Sequence, residues 1–285
     1  MLSELPCKYY RPLRCKLECV IRRRLLLCLA TVCVVASAWS FPSSAAEGRM
    51  VNVPSRAGVV VPVFWVSQPN ANATLVLLSG GAGTIGKLNE SGWPASGNFL
   101  IRSGKLFAAH GFNLAMVAKP SDLDGLDPLL RVSDRHLEDM HKVLRYLRAQ
   151  SDAPIWLVAT SQSTISAAAV AISERDSGLV AGVVLSSSIT NYKIPNAVPK
   201  LDLAQIKVPV LVMHHERDAC FACRPHEAPN IYDGLKNSPV RKLLLVNGGS
   251  EPVGDPCEAR HHHGYIGMEQ EAVDLVAAWI GQAVK

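Results

Sequence analysis

No internal repeat or low-complexity tract interrupts this chain, which excludes solenoids, propellers and disordered tails as its main architecture. Long apolar runs are also missing. The nearest to one is Leu25–Trp39, and it falls short of the roughly 20 residues that a bilayer-spanning helix needs. Excess charge is confined to the N-terminal region: residues 1–46 hold seven of the 29 Lys and Arg and two of the 24 Asp and Glu, leaving 22 of each. The remainder is formally neutral, so nothing in its charge argues for nucleic acid or an anionic membrane surface as partner. Cysteine is scarce there too. Five of the eight lie in residues 1–46, and only Cys220, Cys223 and Cys257 follow.

Residues 1–46 read as an export leader. Arg22, Arg23 and Arg24 precede the apolar stretch, which then meets small residues. Two small-x-small sites fit cleavage, Ala36-Ser37-Ala38 and Ser44-Ala45-Ala46. The second is preferred because the mature chain would begin just before the first strand-like segment. The basic part is long for a leader, so a start downstream of Met1 and retention as an anchor stay open as alternatives. Neither Cys28 nor Cys33 has the small residue before it that a lipidation site wants. The expected mature protein is 47–285, one domain with no stable membrane insertion, periplasmic in an organism with two membranes and otherwise secreted. Export exposes its three cysteines to an oxidising compartment, where a disulfide persists.

Within 47–285 apolar runs of strand length recur at Gly58–Val66, Thr74–Leu78, Asn113–Ala118, Pro154–Ala159, Val180–Leu185, Val208–Met213 and Lys242–Val246. Most are continuous rather than alternating, as in strands buried on both faces of a parallel sheet. Helical patterns lie between them at Phe99–His110, Ser133–Gln150, Gln162–Arg175, Ala228–Leu235 and Met268–Ala283. Together they predict a doubly wound α/β sheet. Met50–Val53 and Gly58–Val66 are too close for a helix between them and are expected to pair as an antiparallel hairpin.

The run Trp156–Thr160 stops at Ser161 and passes at once into a helix of small residues. A strand, a serine and a helix in immediate succession lift a nucleophile out of a sheet. Downstream, Val208–Met213 leads into a polar loop with Asp218, and His261-His262-His263 precede the last helix. The order serine, acid, histidine, together with the antiparallel entry to a parallel sheet, resembles the α/β-hydrolase superfamily across essentially all of the mature chain. The family's Gly-x-Ser-x-Gly reads Ala159-Thr160-Ser161-Gln162-Ser163 here: both glycines are replaced, but by small residues. Only about 20 residues separate Ser187 from Val208, so the resemblance implies a compact member without a helical lid.

That resemblance implies Ser161 as nucleophile, Asp218 as acid and His263 as base, acting on a small-molecule ester without cofactor or metal. Ser163, Glu216 and His262 are the respective rivals. Oxyanion donors are expected from the backbone N–H of Gln162 and from the loop Ser79-Gly80-Gly81-Ala82-Gly83, with Gly81 preferred and Ala82 next. Trp93 and Tyr265 are candidates for the substrate pocket, although Trp93 serves equally as loop packing. Cys220 follows Asp218 closely and Cys257 precedes His263, so a bond between them would tie the acid loop to the base loop, with Cys223 as the other possible partner.

Competing readings are weaker on their own chemistry. Three adjacent histidines cannot all turn toward one ion without unusual backbone geometry, and no Cys or carboxylate set has zinc spacing. Gly81–Gly86 fits a loose dinucleotide pattern, but no acidic residue ends the next strand to bind a ribose. Cys220-Phe221-Ala222-Cys223 lies too late in the strand pattern for a thioredoxin-like site. A non-catalytic relative and a serine peptidase on the same fold remain the alternative functions.

Overall fold

A computed structural model describes residues 47–283, so the expected leader lies outside the described residues. The chain opens with an antiparallel hairpin, β1 (Gly48–Pro54) and β2 (Val60–Val66), in which Gly48 faces Val66 and Pro54 faces Val60. β3 (Thr74–Leu78) follows, then a two-stranded ribbon of β4 (Lys87–Leu88) and β5 (Pro94–Ala95) that periodicity does not reveal. Helices α1 (Phe99–Arg102) and α2 (Gly104–Ala109) lead to β6 (Asn113–Val117). Thereafter strands and helices alternate: α3 (Asp134–Gln150), β7 (Ile155–Thr160), α4 (Ser163–Ser173), β8 (Gly182–Ser186), β9 (Val210–His215), α5 (Pro229–Gly234), β10 (Arg241–Val246) and α6 (Glu269–Ala283).

The main sheet has the order β1-β2-β6-β3-β7-β8-β9-β10. β1, β2 and β6 pair antiparallel, and every later pairing is parallel. β3, β6, β7, β8 and β9 are buried at every position, which is why their sequences are continuous apolar runs. Alternate side chains enter two cores, one on each face: Val76, Leu157 and Val212 on one side, Leu77, Val158 and Met213 on the other. Edge strand β10 is largely half-buried or exposed.

One predicted helix, Phe99–His110, is instead two. The break falls at Ser103 because Gly104 follows, and a Cβ on Gly104 would stand 2.1 Å from Met116 Cε. Close packing demands glycine there, and glycine weakens a helix interior by about 1 kcal/mol. Between Ser187 and Val208 there are two short 3-10 turns, Val198–Lys200 and Leu203–Gln205, and no lid helix. Arg56, in the β1–β2 turn, clamps the buried Asp139 of α3 with two bonds of 2.9 and 3.0 Å and so fastens the hairpin to that helix.

Candidate active site

Parallel strands carry their loops to one edge of the sheet, and the loops after β3, β7 and β9, together with the loop between β10 and α6, meet there. They enclose a cavity of about 450 Å³ whose lining includes Gly80, Gly81, Ser161, Gln162 and His263. Ser161 occupies the first position after β7 with φ 57°, a left-handed conformation that few non-glycine residues adopt. Two bonds hold it there: its N–H donates to Ser186 O at 3.1 Å, and its carbonyl accepts from Thr164 N–H at 3.0 Å. Strain of this kind costs on the order of 1 kcal/mol and persists only where the surroundings impose it.

The two replaced motif glycines have explanations in the packing. Ala159 is wholly buried in the core. Ser163 is equally buried, and its hydroxyl donates toward Leu78 O and Thr160 O while accepting from Thr160 N–H. It staples the start of α4 to β3 and β7, and it does not face the cavity as a rival nucleophile would. Glycine is present where the loop after β3 approaches the serine, at Gly80: a Cβ there would lie 2.9 Å from Ser161 Cβ and 3.0 Å from Thr160 O.

His263 Nδ1 donates to Asp218 Oδ2 at 2.9 Å, with the carboxylate side chain fully buried. The other oxygen, Oδ1, accepts from Cys220 N–H at 2.9 Å. Glu216 is exposed and accepts from Asn247 instead. His262 stacks on His215, ring centroids 4.5 Å apart, and makes no bond to Asp218. The backbone at His263 is held by Ser187 Oγ donating to its carbonyl at 2.9 Å and by Arg102 donating to Gly264 O. Gly264 admits no side chain, because a Cβ would stand 2.2 Å from Ala259 O.

Two sequence candidates for the pocket are not in it. Tyr265 is fully buried; its hydroxyl donates to Met213 O at 3.0 Å, and its ring packs on Phe99 at 4.7 Å. The short 3-10 turn at His262–Gly264 ends with Tyr265 at φ 56°, which turns the ring into the core. Trp93 packs on Phe64 at 5.3 Å and borders a neighbouring groove. Asn98, Ile189, Phe221 and the disulfide line the cavity instead.

Cys220 is bonded to Cys257, 37 residues away. The bridge forms part of the cavity wall and joins the acid loop to the base loop. Closing a loop of that length stabilises by about 4 kcal/mol in the chain-entropy model. Reduction is therefore expected to lower Tm by on the order of 10 °C, measurable by thermal unfolding with and without reductant; an unchanged Tm would count against the bridge. Cys223 is buried behind Ser161. Burial pushes its thiol well above the ordinary range, and hydrogen bonding from Ser161 draws it part of the way back. Cys220, Cys223 and His263 bring donor atoms within 4.8 Å of one another, but the disulfide takes up the Cys220 sulfur, so the trio lacks a third free thiolate or imidazole.

Two more buried histidines support the site from beneath. His214 accepts from Ser188 N–H through Nε2 at 2.9 Å, and His136 contacts Ser166 Oγ at 3.0 Å. Burial pushes each imidazole down to about 4, aided at His136 by the Arg131 charge. Their folded values lie below the ordinary 6.5, so the unfolded chain binds protons first as pH falls. Stability is complete above about 6.5 and is lost on descending through about 4, by roughly 3 kcal/mol per histidine. Chemical denaturation at stepped pH checks this, and His214→Gln is expected to flatten the descent.

No protein-family model matches this sequence, and no curated protein matches it. Solved structures do. An esterase from Pyrococcus furiosus aligns with TM-score 0.60 at 14% identity, over 88% of this chain and 96% of that one. Dienelactone hydrolase from Anabaena variabilis aligns with TM-score 0.59 at 12% identity, over 85% and 100%. A serine hydrolase without lid from Xanthomonas campestris aligns with TM-score 0.54 at 14% identity, over 83% and 96%. With its strand order, its antiparallel entry and the cavity at the carboxyl ends of the parallel strands, the chain has the α/β-hydrolase fold.

Proposed function

We propose that the protein is an exported serine hydrolase that cleaves carboxylic esters of small molecules through Ser161, His263 and Asp218. The observation that carries this reading is the buried Asp218–His263 bond opening onto the same cavity as a serine held in left-handed conformation. With Nδ1 committed to Asp218, Nε2 is the ring nitrogen left to take a proton. The hydrolase and esterase neighbours support the ester class.

In the reaction, Ser161 Oγ attacks the ester carbonyl as its proton passes to His263, and the carbonyl π electrons move to oxygen. The resulting oxyanion rests on the N–H of Gln162, at the start of α4, and on one from the loop Gly80–Ala82. Collapse expels the alcohol, which takes the proton from His263 and leaves Ser161 acylated. Water then attacks the acyl group, gives a proton to His263, and releases the acid as Ser161 recovers its hydrogen. Asp218 holds the imidazole in the required tautomer and stabilises its charged form. No step needs a cofactor. Export is supported by the leader pattern and by the Cys220–Cys257 bridge, since such bonds persist in oxidising compartments.

A series of p-nitrophenyl esters of increasing acyl length, mixed rapidly with the mature protein, tests this reading. Expected is turnover with a burst of nitrophenol matching the enzyme concentration wherever deacylation is slow. No release from any ester would contradict it. Gly80→Ala is expected to lower kcat by about 10²-fold, because its methyl would displace Ser161; unchanged kcat in the folded variant would show that the close approach is unimportant.

A further inference from the structure

Arg131 lies in the short 3-10 turn before α3, where sequence gives an arginine no reason to be buried, yet it is only 1% exposed. No carboxylate among the described residues bonds its guanidinium. Nη2 donates to Gly81 O at 2.7 Å and Nη1 to Ser166 Oγ at 3.0 Å, while His136 Nε2 contacts the same hydroxyl at 3.0 Å. Burying a cation is costly unless its hydrogen bonds compensate, so what this one holds is informative. It holds the carbonyl of a loop residue that lines the catalytic cavity, and it does so from the core side.

That carbonyl belongs to the central peptide of a tight turn. Gly83 N–H donates to Gly80 O at 3.2 Å, Gly81 has φ 57°, and Ala82 keeps a negative φ, which is the type II′ pattern. The two mirror-image turn types differ by rotation of this central peptide, and the other type would require Ala82 at positive φ, which alanine resists. In a trans peptide the carbonyl and the N–H point in opposite directions. With Gly81 O drawn toward Arg131 in the core, Ala82 N–H is directed to the cavity side, and it has no acceptor among the described residues.

We propose that Arg131 is a positioning residue for the oxyanion hole: by gripping the Gly81 carbonyl it fixes the turn so that Ala82 N–H, rather than Gly81 N–H, is the loop donor. This rests on the Ser161 mechanism above and names the donor and the residue that presents it. The remaining bonds at the turn agree. Ala82 O accepts from Leu126 N–H at 3.1 Å and Gly83 O from Lys119 N–H at 2.8 Å, so the two peptides that follow the central one are also held.

Two measurements test the proposal. The first uses wild-type protein labelled with a fluorophosphonate and compares amide proton shifts before and after. Location of the adduct at Ser161 is read beforehand by mass spectrometry; if none forms there, the mechanism itself fails, and this proposal with it. Given the adduct, Ala82 N–H is expected to move well downfield and Gly81 N–H little. The reverse overturns the proposal. The second compares Arg131→Met and Arg131→Lys on an ester substrate. Arg131→Met is expected to lower kcat by about 10- to 100-fold with KM changed by less than about threefold, and Arg131→Lys to recover part of the loss, since a donor aimed at the oxyanion acts in the transition state. Unchanged kcat in a folded Arg131→Met overturns it. Should that variant not fold, the wild-type amide shifts decide alone.

Discussion

Ser161→Ala is expected to lower kcat for ester hydrolysis by on the order of 10⁶-fold while leaving the fold intact, because it removes the only atom that forms the covalent intermediate. The loss should appear in kcat with little change in KM, since Gly81, Gln162 and the remaining lining still receive the substrate. Stability is a useful control. The alanine variant would keep the left-handed φ and both backbone bonds, so Tm should move little. Pre-steady-state mixing with a p-nitrophenyl ester reads the effect, and the burst should vanish. Retained burst kinetics would move the nucleophile elsewhere, with Cys223 the first residue to examine because its buried sulfur lies within 4.8 Å of a His263 ring nitrogen.

Asp218→Asn is the second large effect, about 10⁴-fold in kcat. Its cause is a reversed hydrogen bond. Cys220 N–H occupies Oδ1, so the amide oxygen of an asparagine must take that place and its NH2 must face His263 Nδ1. His263 would then have to accept at Nδ1, leaving the proton on Nε2, where it cannot relieve Ser161 of its own. Geometry is nearly preserved and the tautomer is wrong. The measurement is kcat and KM on one ester across pH, with circular dichroism to establish folding. A loss of less than about tenfold would mean that His263 does not serve as the base.

What the sequence revealed follows from where its signals come from. β3, β6, β7, β8 and β9 are buried on both faces, so their apolar runs mark them directly. Ser161 and Asp218 follow such runs at strand ends, and chain order then leads to the loop of three histidines, among which the resemblance implies His263. Asp218 and not Glu216 is bonded to His263, and Cys220 and not Cys223 forms the disulfide. Substrate-facing residues were less legible. Tyr265 is two residues from His263, but a left-handed turn sends its ring into the core. Trp93 is near the oxyanion loop in sequence and borders another groove. Arg131 left no trace, because periodicity cannot tell an arginine that grips a buried carbonyl from one in solvent. The same holds for His214, whose bond to Ser188 joins β9 to the loop that follows β8.

The proposed export bears on where the proposed chemistry would occur and not on how. Loss of the Cys220–Cys257 bridge in a reducing compartment would loosen the cavity wall and the loops that carry Asp218 and His263 together. That coupling fits the proposed export, since disulfides persist in oxidising surroundings.

The central claim is that Ser161 is an activated nucleophile, and the most direct measurement is the site of covalent modification by a fluorophosphonate probe at neutral pH, located by tandem mass spectrometry of the digested protein. One phosphonyl group per chain on Ser161, formed slowly or not at all in Asp218→Asn, is the predicted result. A wild-type protein that stays unmodified, or carries the group on another residue, would contradict the account.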